Sequence, residues 1–116
     1  MLIAVTSKTG TEVDQHFGHA ERFLIYDYNQ GNPQLVKEVS VEKYCAYVPD
    51  QPFRHGRFQG IAEAIDGCRL VVTAMIGGYP KDELKKLGIQ AVVAPGPIPQ
   101  ALVQAVEAQC KQASDS

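Results

Sequence analysis

The chain has 116 residues, 45% hydrophobic and 21% charged, with a formal net charge of -2 and a pI near 5.9. That is the size and balance of one soluble domain with a single core, which excludes a disordered chain. The mild acidity argues against a broad nucleic-acid interface, and no apolar run approaches the roughly 20 residues of a membrane span.

Met1 to Thr6 lacks the charged and long apolar regions of a signal peptide, so a cytoplasmic location is expected. Cys45, Cys68 and Cys110 form no CxxC pair and no disulfide framework. Reduced thiols are expected.

Leu2-Ile3-Ala4-Val5 is a continuous apolar run, the pattern of a strand buried on both faces. A polar loop follows from Ser7 to Glu21. Its centre, Asp14-Gln15-His16-Phe17-Gly18-His19-Ala20, holds two of the 3 histidines, with Glu12, Glu21 and Arg22 close by. Arg22 to Tyr28 is rich in aromatic and β-branched residues and reads as a second strand. Asn29-Gln30-Gly31-Asn32-Pro33 reads as a turn, and Leu35 to Val41 as the third strand of a hairpin. Glu42 to Arg57 has no period and reads as a long loop, with Tyr44-Cys45 near its start and Arg54-His55-Gly56-Arg57 at its end.

Phe58, Ile61, Ala62 and Ile65 recur at i, i+3, i+4 and i+7, so a helix is expected there, ended by Gly67. Leu70 to Ala74 reads as the fourth strand and Met75-Ile76-Gly77-Gly78 as a turn. Pro80 is then the expected first residue of a short helix through Leu84 and Leu87 to Gly88. Ile89 to Ala94 is the fifth strand, and Pro95-Gly96-Pro97 a break. Ile98, Leu102, Ala105 and Val106 mark the inner face of a closing helix. Residues 111–116 read as a polar, frayed tail behind a single domain over 1–110.

The order βββαβαβα implies an α/β fold: a mixed five-stranded sheet, order 3-2-1-4-5 with strand 2 antiparallel, and helices on both faces, as in ribonuclease H-like three-layer folds. Strand 1 then delivers the histidine loop to its carboxyl end. Strand 3 returns Tyr44-Cys45 to that edge, and strands 4 and 5 bring Met75-Ile76-Gly77-Gly78 and Pro95-Gly96 there. Ligands bind at this edge of open α/β sheets. Imidazole and thiolate ligate iron, copper, zinc and metal–sulfur clusters. Glycine turns offer backbone N–H groups to anions, and Lys8, Arg22, Arg54 and Arg57 offer positive charge. An anionic metal–sulfur cluster would use all three. Cys68 and Cys110 fall at the opposite edge and read as packed thiols.

Each element also has a plain structural account. His-x-x-His occurs by chance, and one imidazole can simply hydrogen-bond the loop. Cys45 can pack beside Tyr44, Gly77-Gly78 can serve a tight turn, and the Arg54-to-Arg57 group can be a solvated loop. Convergence at one edge favours a site over these accounts.

Val13-Asp14-Gln15-His16-Phe17-Gly18-His19-Ala20, followed by Phe23-Leu24-Ile25-Tyr26, resembles the signature of the dinitrogenase iron–molybdenum cofactor biosynthesis family, which includes NifX, the C-terminal domain of NifB and the core domain of NafY. The resemblance continues at Lys43-Tyr44-Cys45, Gly67-Cys68, Ile76-Gly77-Gly78-Tyr79-Pro80 and Leu87-Gly88-Ile89, from Leu2 to about Glu107. It implies a ribonuclease H-like fold and a non-enzymatic carrier. The cargo implied is the iron–molybdenum cofactor, its precursor iron–sulfur cluster or another molybdenum-containing cluster. The implied partners are cluster-assembly donor and acceptor proteins, with no nucleic acid and no membrane.

The expected cofactor-binding set is His16, Phe17, Gly18, His19, Arg22, Cys45, Ile76, Gly77 and Gly78, with His16 and Cys45 as the metal ligands. No CxxxCxxC run is present, so a free-standing small member without the radical S-adenosylmethionine module of full-length NifB is expected. Two other expectations compete. One is a regulatory or interaction module with a single metal or none. The other is a nuclease on the ribonuclease H-like scaffold, but that chemistry needs several carboxylates around one site, and Leu2 to Thr6 contains none.

Overall fold

The computed structural model of the protein describes residues 1–29, 32–41 and 55–114, the side chains of 55–59 and 109–114 excepted. In chain order its strands are β1 (Leu2–Val5), β2 (Glu12–Val13), β3 (Arg22–Asn29), β4 (Asn32–Ser40), β5 (Cys68–Thr73), β6 (Gln90–Val93) and β7 (Gly96–Pro97). The helices are α1 (His55–Ala64), α2 (Gly78–Lys86) and α3 (Ile98–Ser114), and a 3-10 turn spans Phe17–His19.

Five strands form one mixed sheet in the order β4-β3-β1-β5-β6. β3 runs antiparallel to β1 and β4, whereas β5 is parallel to β1 and β6 to β5. β1 is central, so both of its faces are covered. That is why an uninterrupted apolar run suits it, with Ile3, Ala4 and Val5 all fully buried.

Alternation along each strand splits the core in two. Ala4, Phe23, Ile25 and Val71 face α1 and α2, where they meet Ile61, Ile65 and Leu84. Ile3, Val5, Leu24, Leu70 and Val72 face α3, where they meet Ile98, Ala101, Leu102 and Ala105. The result is three layers, helices on either side of a sheet. Each large side chain withdrawn here contributes about 1.5–3 kcal/mol of hydrophobic stabilisation.

Several elements differ from their expected limits. The helix read from Phe58 begins at His55, inside the expected loop. The hairpin's second strand begins at Asn32, so Pro33 lies within it, paired with Tyr28. β4 is a sheet edge, where proline's missing N–H leaves no ladder bond broken. Cys68 is the first residue of β5, not a residue before it.

Pro80 is the third residue of α2, not the first. Any first-turn position tolerates proline, because those N–H groups have no intrahelical acceptor. The Pro95-Gly96-Pro97 break contains β7, which pairs with β2. α3 continues to Ser114, so residues 111–114 of the expected tail are helical. No helix among the described residues is long and apolar enough to cross a membrane.

Candidate functional site

The carboxyl end of β1 leads into the loop 7–21, and two devices shape it. Ser7 Oγ donates to the Glu12 carbonyl and accepts from the Gly10 N–H, closing a tight turn in which Gly10 has φ +86°. That conformation favours glycine. The Lys8 N–H donates to Asp14 Oδ1 at 2.8 Å, and this bond holds the Asp14 carboxyl below the usual carboxylate range. β2 then pins Val13, only 1% exposed, against α3's face of the sheet.

His16 lies at the start of the 3-10 turn with extended backbone, and its Nδ1 accepts the Gly18 N–H at 3.3 Å. In the neutral ring this contact places the proton on Nε2. A 3-10 turn has about three residues per turn, so side chains at i and i+3 align. The rings of His16 and His19 accordingly stand with centroids 5.1 Å apart, tilted by 32°. Phe17 and Ala20, both fully buried, hold the turn to the core, and Phe17 lies 5.9 Å from the Phe23 ring. The turn therefore presents imidazoles outward because its apolar residues are drawn inward.

A buried hydroxyl pair fixes this loop to the end of β5. Thr6 Oγ1 and Thr73 Oγ1 are 2.9 Å apart and both residues are fully buried. They share their protons among themselves, the Gln15 carbonyl (2.8 and 3.1 Å) and the Met75 carbonyl (3.1 Å from Thr73). The Phe17 N–H also donates to the Met75 carbonyl at 2.8 Å, and His16 and Met75 pair as an isolated parallel bridge.

Thr73→Val keeps the shape but removes one hydrogen-bond partner each from the Gln15 carbonyl, the Met75 carbonyl and the Thr6 hydroxyl, all of which keep another. It should destabilise the protein by about 0.5–1.5 kcal/mol, whereas Thr73→Ser should restore most of that. Urea denaturation of the two variants is the check. A neutral Thr73→Val would mean that the hydroxyl pair does not brace the loop.

The turn after β5 meets the histidine loop through that bridge. Gly77 caps α2 without a side-chain hydrogen bond, and neither Gly77 nor Gly78 has a positive φ. A Cβ at Gly78 would meet nothing within 4 Å. These glycines are thus not required by a strained turn. They put no side chain over the amino end of α2, which begins three residues after the Met75 bridge to His16. Ile76 packs against the core, so its share in a site is through backbone.

Other expected site residues are placed differently. Phe17 is core and not a surface contact. Arg22 is a brace: its Nη1 pairs with Glu38 Oε1 at 3.2 Å, Nη2 donates to the Lys8 carbonyl at 3.1 Å and Nε to the Ser7 carbonyl at 3.4 Å. Cys45 and Arg54 lie outside the described residues, as do the side chains of His55, Arg57 and Cys110. Thr6, Thr73 and Met75 were not among the expected residues. The available signal was a threonine ending each of two apolar runs, Leu2-Ile3-Ala4-Val5-Thr6 and Leu70-Val71-Val72-Thr73.

The other end of the sheet carries a hollow of about 790 Å³ lined by Ala62, Asp66, Cys68, Arg69 and Leu87 among others. Burial pushes the Cys68 thiol up to about 11. Near neutral pH it is a protonated thiol and not a metal-binding thiolate. Native protein should therefore alkylate slowly at Cys68 at pH 8, with a rate still climbing above pH 9, and rapidly once unfolded. Peptide mass spectrometry after iodoacetamide treatment reads this. Prompt native labelling would contradict the burial.

The histidine loop and the α2 turn lie inside a stretch shared with known proteins. Residues 1–109 match the family model described as dinitrogenase iron-molybdenum cofactor. The FeMo cofactor biosynthesis protein NifB of Klebsiella pneumoniae is 37% identical over 94 residues, which covers 79% of this chain and 20% of that protein. The NifB of Herbaspirillum seropedicae is 35% identical over 94 residues, covering 79% of this chain and 17% of that protein.

The chain thus spans a fifth or less of the length of these two relatives. Among solved structures, PH0822 superposes with a TM-score of 0.64 at 24% identity, covering 86% of this chain and 85% of that one. TM1290 from Thermotoga superposes with a TM-score of 0.58 at 20% identity, covering 91% and 87%. Both support the α/β fold. Since the family match runs from β1 well into α3 and takes in the whole imidazole-bearing loop, this chain belongs to the dinitrogenase iron-molybdenum cofactor family.

Proposed function

We propose that the protein is a non-enzymatic carrier of the iron–molybdenum cofactor, its precursor or a related metal–sulfur cluster during cofactor assembly. The observation that carries this reading is the pair of surface imidazoles 5.1 Å apart on a turn anchored from below and bridged to Met75, just ahead of the start of α2. The relatives' naming as FeMo cofactor biosynthesis proteins supports it. So does the sheet, whose order and antiparallel β3 suit a ribonuclease H-like fold.

A cluster is an anion with sulfide acceptors at its surface. His16 meets it with Nε2–H as a hydrogen-bond donor, or with Nε2 as a ligand once the ring proton moves to Nδ1 and the Gly18 contact is given up. The start of α2 adds partial positive charge. Cys45 would add a soft ligand. Among the described residues, no three His, Cys, Asp or Glu side chains are grouped to hold a metal ion. Few contacts suit a cargo that must be released.

Anaerobic titration with isolated iron–molybdenum cofactor tests the reading. Stoichiometric uptake of chromophore, iron and molybdenum that survives desalting is expected. Protein that emerges colourless and metal-free would remove the carrier reading.

A further inference from the structure

Met75 stands beside His16. The two are paired across a parallel bridge, and paired residues project their side chains to the same face. Met75 is 58% exposed, and the His19 ring lies 5.1 Å from the His16 ring. One thioether and two imidazoles therefore share a surface that the Thr6–Thr73 pair holds from beneath.

We propose that His16, His19 and Met75 form a binding site for a thiophilic monovalent metal ion of the Cu(I) class. Thioether and imidazole are both suited to Cu(I), whereas hard divalent ions take carboxylate, carbonyl and water. Zinc sites draw on Cys, His, Asp and Glu, so the thioether is what distinguishes this donor set. A low-coordinate ion is satisfied by the few donors present.

Binding at His16 Nε2 moves the ring proton from Nε2 to Nδ1 and releases the 3.3 Å contact to Gly18, with no net proton lost. The site does not depend on the cluster reading, since a bare ion suffices to fill it.

The test uses Ag(I), a redox-inert stand-in for Cu(I), on full-length Cys45→Ser/Cys110→Ser protein, so that these thiols do not compete. Wild-type protein with its accessible thiols alkylated is the second arm, should that variant fold poorly. The protein has 2 methionines, and methyl-labelled methionine gives one NMR signal for each. Met1 lies at the far end of β1, its amino group 3.2 Å from Asp27, and serves as the internal reference.

One equivalent of Ag(I) should move the Met75 methyl and leave Met1 in place. Met75→Leu should weaken Ag(I) binding on the order of tenfold or more, at least what loss of an outer-shell partner costs a metal site. Zn(II) affinity and thermal unfolding should not change. A Met75 methyl that stays put, or a Met75→Leu protein that binds Ag(I) as tightly, would overturn the site. Protein that binds Ag(I) but takes up no iron–molybdenum cofactor would leave this site standing and remove only the carrier reading.

Discussion

Replacing His16 with alanine should reduce cluster uptake by roughly tenfold or more while lowering stability by only about 0.5–1 kcal/mol. The two effects have separate origins. The stability loss comes from the Nδ1 contact to the Gly18 N–H, which at 3.3 Å is a long, weak cap on a short turn. The rest of the turn is held by bonds that alanine keeps: His19 N–H to the His16 carbonyl at 3.0 Å, and Phe17 N–H to the Met75 carbonyl at 2.8 Å. The uptake loss comes from Nε2, which alanine cannot replace. His16→Asn separates them further, since asparagine restores a cap but not an imidazole. The measurements are urea denaturation and anaerobic titration on each variant. Normal uptake per folded molecule, with a large loss of stability, would make His16 a structural histidine.

Phe17→Ala should behave in the opposite way, losing about 3–5 kcal/mol of stability. Its ring is fully buried among Phe23, Ile25, Ile61, Ile65 and Leu84, in the core layer under α1 and α2. Truncation leaves a cavity in a close-packed region and unties the histidine turn from the sheet. For a domain whose total stability is about 5–15 kcal/mol, this is a large fraction. Phe17→Leu should recover most of it. A Phe17→Ala protein of near-normal stability that no longer takes up cluster would return Phe17 to the binding surface.

These two neighbours show how far the candidate site could be read from residues alone. Asp14 to Ala20 is recognisable as a loop because it is polar and lies between two apolar runs, and its histidine spacing is visible at once. That Phe17 and His16 take opposite sides is not visible. In a loop there is no strand or helix period to assign faces, so each side chain's direction depends on what stands across from it. Arg22 is similar. Its charge is obvious in the sequence, but its engagement with Glu38 and two carbonyls depends on the β3–β4 register and the return of the loop.

Runs such as Leu2 to Val5 and Leu70 to Val72, and the spacing of Ile61, Ile65, Ile98, Leu102 and Ala105, determined by themselves that this chain makes central strands and helices with one apolar face. The reason is that 2.0- and 3.6-residue periods are local properties of the backbone, and burial of the apolar stripe follows from them. Which groups meet across the sheet edge was decided only by tertiary structure. Thr6 and Thr73 are 67 residues apart in the chain, yet they share a hydrogen bond because β1 and β5 are parallel neighbours with Val5 opposite Val72. Met75 pairs with His16 because the loop after β1 folds back beside the chain leaving β5, where the Phe17 N–H donates to the Met75 carbonyl. Such pairings depend on the relative placement of two strands, which no short stretch of sequence carries.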